Sequence, residues 1–159
     1  MTKEEIYQYL TDLGIEFEVL EHQPVYQMTE QVSLPHPESL AKTLFLRDDK
    51  KEHYYLVSVR GDKRLDLKAL RQAQGTRKLT FASADDLAEL LQLQPGFVSP
   101  FGLLHAGTES IAFFLDQDFQ DEDLIGIHPN DNTATLFLQI QDLLDLLTQR
   151  GYEVRKVAL

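Results

Sequence analysis

Residues 43–59 read TLFLRDDKKEHYYLVSV and contain two strand-like runs, TLFLRD (43–48) and HYYLVSV (53–59), separated by a polar stretch around DKK (49–51). β-Branched and aromatic residues are common in both runs, and these residue types favour strands. A short polar connection between two such runs is typical of a β-hairpin. We therefore predict an antiparallel pair of strands in this stretch of the chain.

Helical and strand-like segments mix irregularly on both sides of this hairpin. A capping box formed by Thr2 and Glu5 predicts a first helix that ends at Gly14, and Ser83 is the expected N-cap of another helix. Further helices are predicted at 65–73 and 141–150, one or two helical turns at 29–33, and further strands at 15–22, 78–82, 111–116, 133–140 and 152–157. The predicted fold is a single α/β (α+β) domain over residues 1–159, with a mixed, largely antiparallel sheet or partial barrel flanked by helices.

The composition excludes several classes of protein. The 159 residues include no cysteine, which rules out disulfides, thiolate nucleophiles and cysteine-based zinc sites. The N-terminal sequence MTKEEIYQYL carries glutamates where a signal peptide would need a basic flank and an apolar core. No apolar run has the length needed to span a bilayer. We expect a cytoplasmic protein that makes no membrane contact.

The charge is unevenly distributed along the chain. The formal net charge is −11, yet residues 50–79 hold nine Lys and Arg against three Asp and Glu. A cluster of cations in an otherwise acidic protein is typical of a surface that faces a polyanion. A solvated helix face next to a hairpin would give the same pattern, and both interpretations stay open at this point.

Three short segments carry residue types suited to chemistry. Lys42 directly precedes an apolar strand, where a lysine either snorkels to the surface or points into a cleft. PGFVSPFGL (95–103) has two prolines and two glycines, and such a shaped backbone would expose N–H groups near Gly102 to a carbonyl oxygen or an oxyanion. GIHPNDNTAT (126–135) contains His128 and more polar residues than a plain turn needs. Each segment also has an ordinary structural explanation: a strand-edge lysine, a proline-fixed turn or an Asx-rich turn.

Other chemistry has little support in the sequence. A Gly-rich phosphate loop and the HExxH and GxSxG motifs are missing, and no pair of histidines has a helical metal-ligand spacing. The acidic run from Asp116 to Asp123 fits no EF-hand pattern and is interpreted as a solvated loop. We therefore predict neither a metal site nor a cofactor.

Four segments, in order, resemble the bacterial prolyl-tRNA trans-editing family, the YbaK-like domain that occurs free-standing or inserted in prolyl-tRNA synthetases. They are AKTLFLRD (41–48), YLVSVRGDKRLDLKAL (55–70), QPGFVSPFGL (94–103) and GIHPNDNTAT (126–135). The resemblance extends over almost the whole chain. SPFGL followed by HPNDNTAT is most similar to the free-standing branch that removes alanine from mischarged proline tRNA.

The resemblance implies a hydrolase without an enzyme nucleophile, which cuts the ester joining an amino acid to the terminal adenosine of tRNA. It implies catalytic roles for Lys42, Gly102 and His128. The Gly102 N–H would hold the ester carbonyl, Lys42 would bind the terminal phosphate or sugar, and His128 would position a water or move a proton. The implied substrate-binding residues are Thr43, Phe45, Ser99, Pro100, Phe101, Gly126, Pro129 and Asn130, with Phe45, Val59 and Phe101 expected in the pocket wall.

The resemblance also gives the basic segment a partner, proline tRNA mischarged with alanine, and makes prolyl-tRNA synthetase a second candidate partner. The expected tRNA-facing residues are Arg60, Lys63, Arg64, Lys68, Arg71, Arg77 and Lys78. Thr43 stands where alanine-editing members often carry asparagine, so cysteine or another small amino acid stays an alternative substrate. A tRNA- or synthetase-binding module without the chemistry is the alternative of another class.

Overall fold

The computed structural model describes residues 1–24, 36–105, 107–108, 110–120 and 123–159. The helical turns predicted at 29–33 lie outside these residues. The described helices are α1 (Lys3–Asp12), α2 (Leu67–Gln74), α3 (Ala84–Asp86) and α4 (Ile140–Gln149), with a π-helical turn at Leu87–Leu91 and 3-10 helices at Pro37–Ser39 and Pro100–Leu104. None of the described helices is long and apolar enough to cross a membrane.

Eight strands form two sheets: β1 (Phe17–Glu21), β2 (Ala41–Asp48), β3 (Tyr54–Arg60), β4 (Leu79–Phe81), β5 (Ala112–Asp116), β6 (Leu124–Ile127), β7 (Ala134–Gln139) and β8 (Val154–Val157). The larger sheet has the order β4-β2-β3-β5-β8, and the smaller sheet has the order β1-β7-β6. All pairs are antiparallel except β3–β5 and β5–β8. The predicted α/β domain with a mixed, largely antiparallel sheet is confirmed, and the described strands do not close into a barrel.

The predicted hairpin is the pair β2–β3, and it lies within the larger sheet. Its register is regular from Ala41 opposite Arg60 to Arg47 opposite Tyr54. Successive side chains of a strand point to opposite faces, so the two faces of the hairpin carry different residues. Both faces are buried, which explains why the two runs are apolar without a strict alternation.

Each face of the larger sheet has its own hydrophobic cluster. The main core contains Phe45 and Leu56 and joins this face to α1, α4 and the smaller sheet. A second cluster contains Leu46, Val57 and Val59 on the opposite face, which α2 covers with Leu70. The helix α2 therefore lies on one side of the larger sheet and the smaller sheet on the other.

The interpretation of the acidic run as a solvated loop is wrong at Asp116, and a strand directly after the run was not predicted. Leu124–Ile127 forms β6, which is too short for its alternation to be recognised beside so many carboxylates. Asp116 ends β5 with a fully buried side chain. Its carboxylate accepts hydrogen bonds from the Arg60 N–H (3.2 Å) and from Lys63 Nζ (2.9 Å), so the charge is compensated inside the fold.

A second buried carboxylate closes the hairpin. Asp48 lies at the end of β2 and accepts hydrogen bonds from the Glu52 N–H (2.9 Å) and from His53 Nδ1 (3.0 Å). Burial opposes the charged form, but these hydrogen bonds outweigh it and lower the pKa of Asp48 to about 2 from its ordinary value of 3.8. The ionised carboxylate therefore stabilises the folded state.

We expect Asp48→Asn to destabilise the protein at neutral pH and to flatten the acid dependence of its stability. Because the folded pKa is below the unfolded one, the contribution of Asp48 is complete above about pH 4 and is lost as the pH falls toward about 2. Urea denaturation at neutral and acidic pH measures this, with the exposed Asp85→Asn as the control. An equal acid dependence in the two variants would contradict the assignment.

Candidate active site at the junction of the sheets

The two sheets meet at Leu40, the residue before β2. Leu40 forms a parallel bridge with Gly126 of β6, and its carbonyl accepts a hydrogen bond from the Gly61 N–H (2.8 Å). Lys42 follows Leu40 by two residues, as His128 follows Gly126. Because side chains alternate along a strand, Lys42 shares a face with Leu40, and His128 shares a face with Gly126. Lys42 and His128 are therefore each two positions beyond the bridge, on the face that Leu40 and Gly126 share.

The bridge depends on the missing side chain of Gly126. A Cβ atom at this position would lie 2.7 Å from Cε1 of Phe137 and 3.0 Å from Cδ2 of Leu40. Phe137 is the cross-strand partner of Gly126 in β7 and is almost completely buried. A larger residue would have to displace the ring or the leucine, so the close approach of the two sheets requires glycine here.

The proline-containing turn joins this region through a side-chain hydrogen bond. The Ser99 hydroxyl donates to Oδ1 of Asn130 (2.8 Å) and accepts from the Phe101 N–H (3.0 Å). Ser99, Pro100 and Pro129 are all buried. The segment 99–102 therefore contacts the turn after His128. The segment 126–135 thus touches both of the other segments that the sequence singled out, the start of β2 through Gly126 and the proline-containing turn through Asn130.

The polar residues after His128 mainly stabilise their own turn. Asp131 accepts a hydrogen bond from the Thr133 N–H (2.9 Å), which is an Asx-type turn. The Thr133 hydroxyl accepts from Lys3 Nζ (3.0 Å), and Asn130 Nδ2 donates to the carbonyl of Met1 (3.3 Å). The excess of polar residues in GIHPNDNTAT is thus explained largely by contacts with the N-terminal end of α1.

The N–H of Gly102 already has a partner. It donates to the carbonyl of Ser99 (3.0 Å), and a Cβ at Gly102 would lie 3.0 Å from Cδ1 of Leu93. Gly102 is therefore packed in the interior, and the prediction that its N–H is exposed is wrong for this conformation. The sequence indicates that the turn has a fixed shape, but it contains no information on where the donors of the turn point.

Two predicted substrate-binding residues lie on the opposite face of β2 from Lys42. Lys42 pairs with Val59, whereas Thr43 and Phe45 alternate onto the other face. Phe45 and Phe101 belong to the main core, while Val59 belongs to the cluster beneath α2. A single pocket wall of Phe45, Phe101 and Val59 is therefore wrong, since the larger sheet separates them. Thr43 is held by Ser58 Oγ at 2.8 Å from its hydroxyl oxygen.

His128 is held in a defined orientation and tautomer. Its Nδ1 lies 3.2 Å from the carbonyl oxygen of Ala134, and a carbonyl only accepts, so Nδ1 carries the hydrogen. Burial lowers the pKa of His128 below its ordinary value of 6.5, as does the nearby His22, while the Ala134 carbonyl and Asp131 act in the opposite direction. The ring is therefore neutral at physiological pH, with a lone pair on Nε2.

The seven cations that were expected to face tRNA divide into two groups. Three form ion pairs: Arg60 with Asp62 (3.7 Å), Lys63 with Asp116 (2.9 Å) and Asp118 (2.6 Å), and Arg77 with Asp49 (2.7 Å). Arg64, Lys68, Arg71 and Lys78 are exposed and pair with no carboxylate in the part of the chain that the structure describes. Lys68 and Arg71 are one helical turn apart on α2, so they project from neighbouring positions.

The sequence model of one known family, described as the aminoacyl-tRNA editing domain, matches residues 22–146. This range includes the bridge at Leu40, the turn at 99–102 and His128. The chain belongs to the aminoacyl-tRNA editing domain family. The resemblance carried by the four sequence segments is thereby confirmed.

Relatives in this family match the chain over most of its length. Prolyl-tRNA editing protein ProX of Acetoanaerobium sticklandii is 35% identical over 159 residues, which cover 99% of this chain and 97% of that protein. Prolyl-tRNA synthetase associated domain-containing protein 1 of Mus musculus is 32% identical, with coverage of 94% and 91%. The crystal structure of hypothetical protein APE2540 shares the fold with a TM-score of 0.70 at 21% identity, covering 96% of this chain and 98% of that one.

Two polar residues of this editing domain were not selected from the sequence. His22 and Thr135 are joined by a contact of 2.8 Å between Nε2 and the hydroxyl oxygen, and Thr135 is buried in β7. The sequence signal that could have identified His22 is the alternation of side chains along β1, which puts His22 on the same face as Leu20. Their contact depends on the β1–β7 register, which brings together residues more than a hundred positions apart.

We expect the imidazole of His128 to titrate below 6.5 and to carry its hydrogen on Nδ1 at neutral pH, because burial disfavours the charged ring. Long-range ¹⁵N–¹H NMR correlations measure both the tautomer and the pKa. The folded pKa is the lower one, so the neutral ring favours the fold above pH 6.5 and this contribution is lost as the pH falls toward the folded pKa. The free energy of unfolding of a His128→Asn variant should therefore decrease less on acidification than that of the wild type. Titration above 6.5 would be incompatible with the burial argument.

Proposed function

We propose that this protein is an aminoacyl-tRNA deacylase that hydrolyses mischarged proline tRNA in trans, with alanine as the preferred amino acid. The observation that carries the proposal is that the segment of His128 contacts both the start of the Lys42 strand, through the Leu40–Gly126 bridge, and the 99–102 turn, through the Ser99–Asn130 hydrogen bond. Membership of the editing-domain family, with a relative named for prolyl-tRNA editing, supports this class of reaction. The preference for alanine rests on the resemblance of SPFGL and HPNDNTAT to the alanine-editing branch.

His128 is proposed to activate the attacking water. Its Nδ1–H is engaged by the Ala134 carbonyl, and the Nε2 lone pair of the neutral ring accepts a proton from the water. The water oxygen bonds to the ester carbonyl carbon, and negative charge develops on the carbonyl oxygen. Collapse of this intermediate breaks the ester bond, and the departing adenosine oxygen takes the proton. The enzyme forms no covalent bond with the amino acid.

Lys42 is proposed to hold the charged end of the substrate. Lys42 is two positions beyond the bridge to Gly126, as His128 is, and its ammonium group would bind the terminal phosphate or the sugar as a point cation. Gly102 stays in the proposal as part of the turn that closes the site. Its N–H would reach an ester oxygen only by giving up the bond to the Ser99 carbonyl.

The choice of amino acid is proposed to depend on size. A small apolar site rejects larger side chains sterically but separates similar ones only by about 10- to 200-fold. Cysteine or another small amino acid is therefore the alternative substrate, consistent with Thr43 at the position where asparagine is frequent in alanine-editing members. Charged tRNA is a cytoplasmic substrate, so the proposal also places the protein in the cytoplasm, with prolyl-tRNA synthetase as a candidate partner.

Proline tRNA charged separately with alanine, cysteine and proline tests the reaction. We expect fast loss of the alanyl ester, slower loss of the cysteinyl ester and no loss of the prolyl ester. Lys42→Ala and His128→Ala should each lower the rate by about 100-fold or more, because each removes a group that acts on the transition state. Glu89→Gln, an exposed change on the Leu87–Leu91 turn, serves as the matched control.

The outcomes of this experiment separate the classes of function. Hydrolysis of neither the alanyl nor the cysteinyl ester would end the proposal of a deacylase. Ester half-lives that do not change in the Lys42 and His128 variants would indicate a tRNA- or synthetase-binding module instead.

We expect Lys68→Ala and Arg71→Ala to weaken tRNA binding and to reduce its salt dependence. Each variant removes one exposed cation and therefore one phosphate contact, which lowers the slope of log K against log salt by about 0.7 to 0.9. Lys63→Ala should instead lower the free energy of unfolding by up to about 3 kcal/mol, because it leaves the buried Asp116 carboxylate without its cation. Filter binding over a salt series and urea denaturation measure the two effects. Salt-independent binding in the wild type would contradict a basic contact surface.

A further inference from the structure

A second histidine lies on the face of the smaller sheet that carries His128. The His22 N–H donates to the Thr133 carbonyl (2.9 Å), which extends the β1–β7 ladder by one position beyond Glu21. The side chain of His22 therefore continues the alternation of β1 and shares a face with Leu20, the cross-strand partner of Thr135.

The hydrogen bonds of His22 define the direction of the Thr135 hydroxyl. The His22 Nδ1 lies 2.7 Å from the carbonyl oxygen of Gln23, so this nitrogen carries the hydrogen. In the neutral ring, Nε2 is then an acceptor, and the Thr135 hydroxyl at 2.8 Å donates to it. The remaining lone pairs of the Thr135 oxygen point away from His22.

Thr135 also neighbours His128. The β6–β7 register pairs Ile127 with Leu136, and one further step along both strands places His128 opposite Thr135. Directly opposed residues have Cβ atoms about 5 Å apart, a distance that one water molecule can bridge. His22, Thr135 and His128 thus form a line of polar side chains across the smaller sheet, and His22 lies close enough to His128 to lower its pKa.

We propose that His22 is a positioning residue of the hydrolytic site and acts through the hydroxyl of Thr135. The inference rests on the proposed function. Because the Thr135 proton is directed to His22, its oxygen offers an acceptor on the side of His128. The attacking water donates one hydrogen to Nε2 of His128 and the other to Oγ1 of Thr135. Both hydrogens are then fixed, and a lone pair of the water oxygen is left to attack the ester carbonyl carbon.

Kinetics of His22→Ala, Thr135→Val and the double variant, with alanyl-tRNA(Pro) as the substrate, test this role. We expect each single variant to lower kcat by about 10- to 100-fold with little change in KM, because the water loses one of its two acceptors. The double variant should be no slower than the slower single variant, since His22 acts through Thr135. Thr135→Ser keeps the hydroxyl and should restore most of the rate. Thr80→Val on β4 is the matched control for the same substitution far from the junction.

NMR titration of His128 provides a readout that does not depend on activity. His22→Ala should move the pKa of His128 upward, toward 6.5, because the lowering contribution of His22 is removed. Thr135→Val leaves His22 in place and should move this pKa less. The pKa difference measures the proximity of the two imidazole rings, whereas a loss of kcat without a change in KM measures the positioning of the water.

Two results overturn the proposal in an active protein: additive losses of kcat in the double variant, or a Thr135→Val variant with the wild-type rate. A wild-type protein that hydrolyses none of the charged tRNAs overturns the proposed function, and the positioning role falls with it. The failure of His22 as a positioning residue is thus distinguishable from the failure of the reaction. Circular dichroism of each variant verifies that a lower rate does not come from unfolding.

Discussion

The close approach of Gly126 to the ring of Phe137 and to Leu40 is the constraint on which the candidate site depends. The strand β6 has four residues and lies at the edge of the smaller sheet, so few backbone hydrogen bonds fix its position. Its bridge to Leu40 nevertheless sets how the two sheets meet. The absence of a Cβ at residue 126 permits this contact, and with it the approach of the two segments that carry Lys42 and His128.

Because side chains alternate along β2, successive residues lie on opposite faces of the larger sheet and have different surroundings. Phe45 belongs to the main core, which links the larger sheet to the smaller one, and Thr43 is tied to β3 by a hydroxyl contact. Lys42 faces the other way, beside Val59. Residues that lie close together in one motif therefore differ in their surroundings: Phe45 contributes to stability by removing apolar surface from water, and Lys42 is the residue to which we assign a role in substrate binding. A substitution at Phe45 would act on the site only through the packing of the fold.

Local signals predicted the elements that depend on local physics. The capping box at Thr2, the N-cap at Ser83 and the hairpin at 43–59 are present, because each is determined by residues a few positions apart. Features that depend on distant partners were missed or misassigned. Asp116 was interpreted as solvated because its partner Lys63 lies more than fifty residues earlier, and the N–H of Gly102 was expected to be free although Ser99 engages it. Family resemblance identified the segments that meet, but not the face on which each side chain lies.

The proposed hydrolysis uses no enzyme nucleophile and would rely on the orientation of a water, which the described side chains favour before any substrate binds. A carbonyl oxygen fixes the hydrogen of His128 on Nδ1, and burial keeps the ring neutral, so the basic nitrogen is already in its reactive state. His22 has the same arrangement, with its Nδ1–H directed to the Gln23 carbonyl. Backbone carbonyls are held by the sheet and adjoining turn, so the tautomers of both rings follow from the fold itself. Such preorganisation lowers the barrier because less reorientation is needed during the reaction.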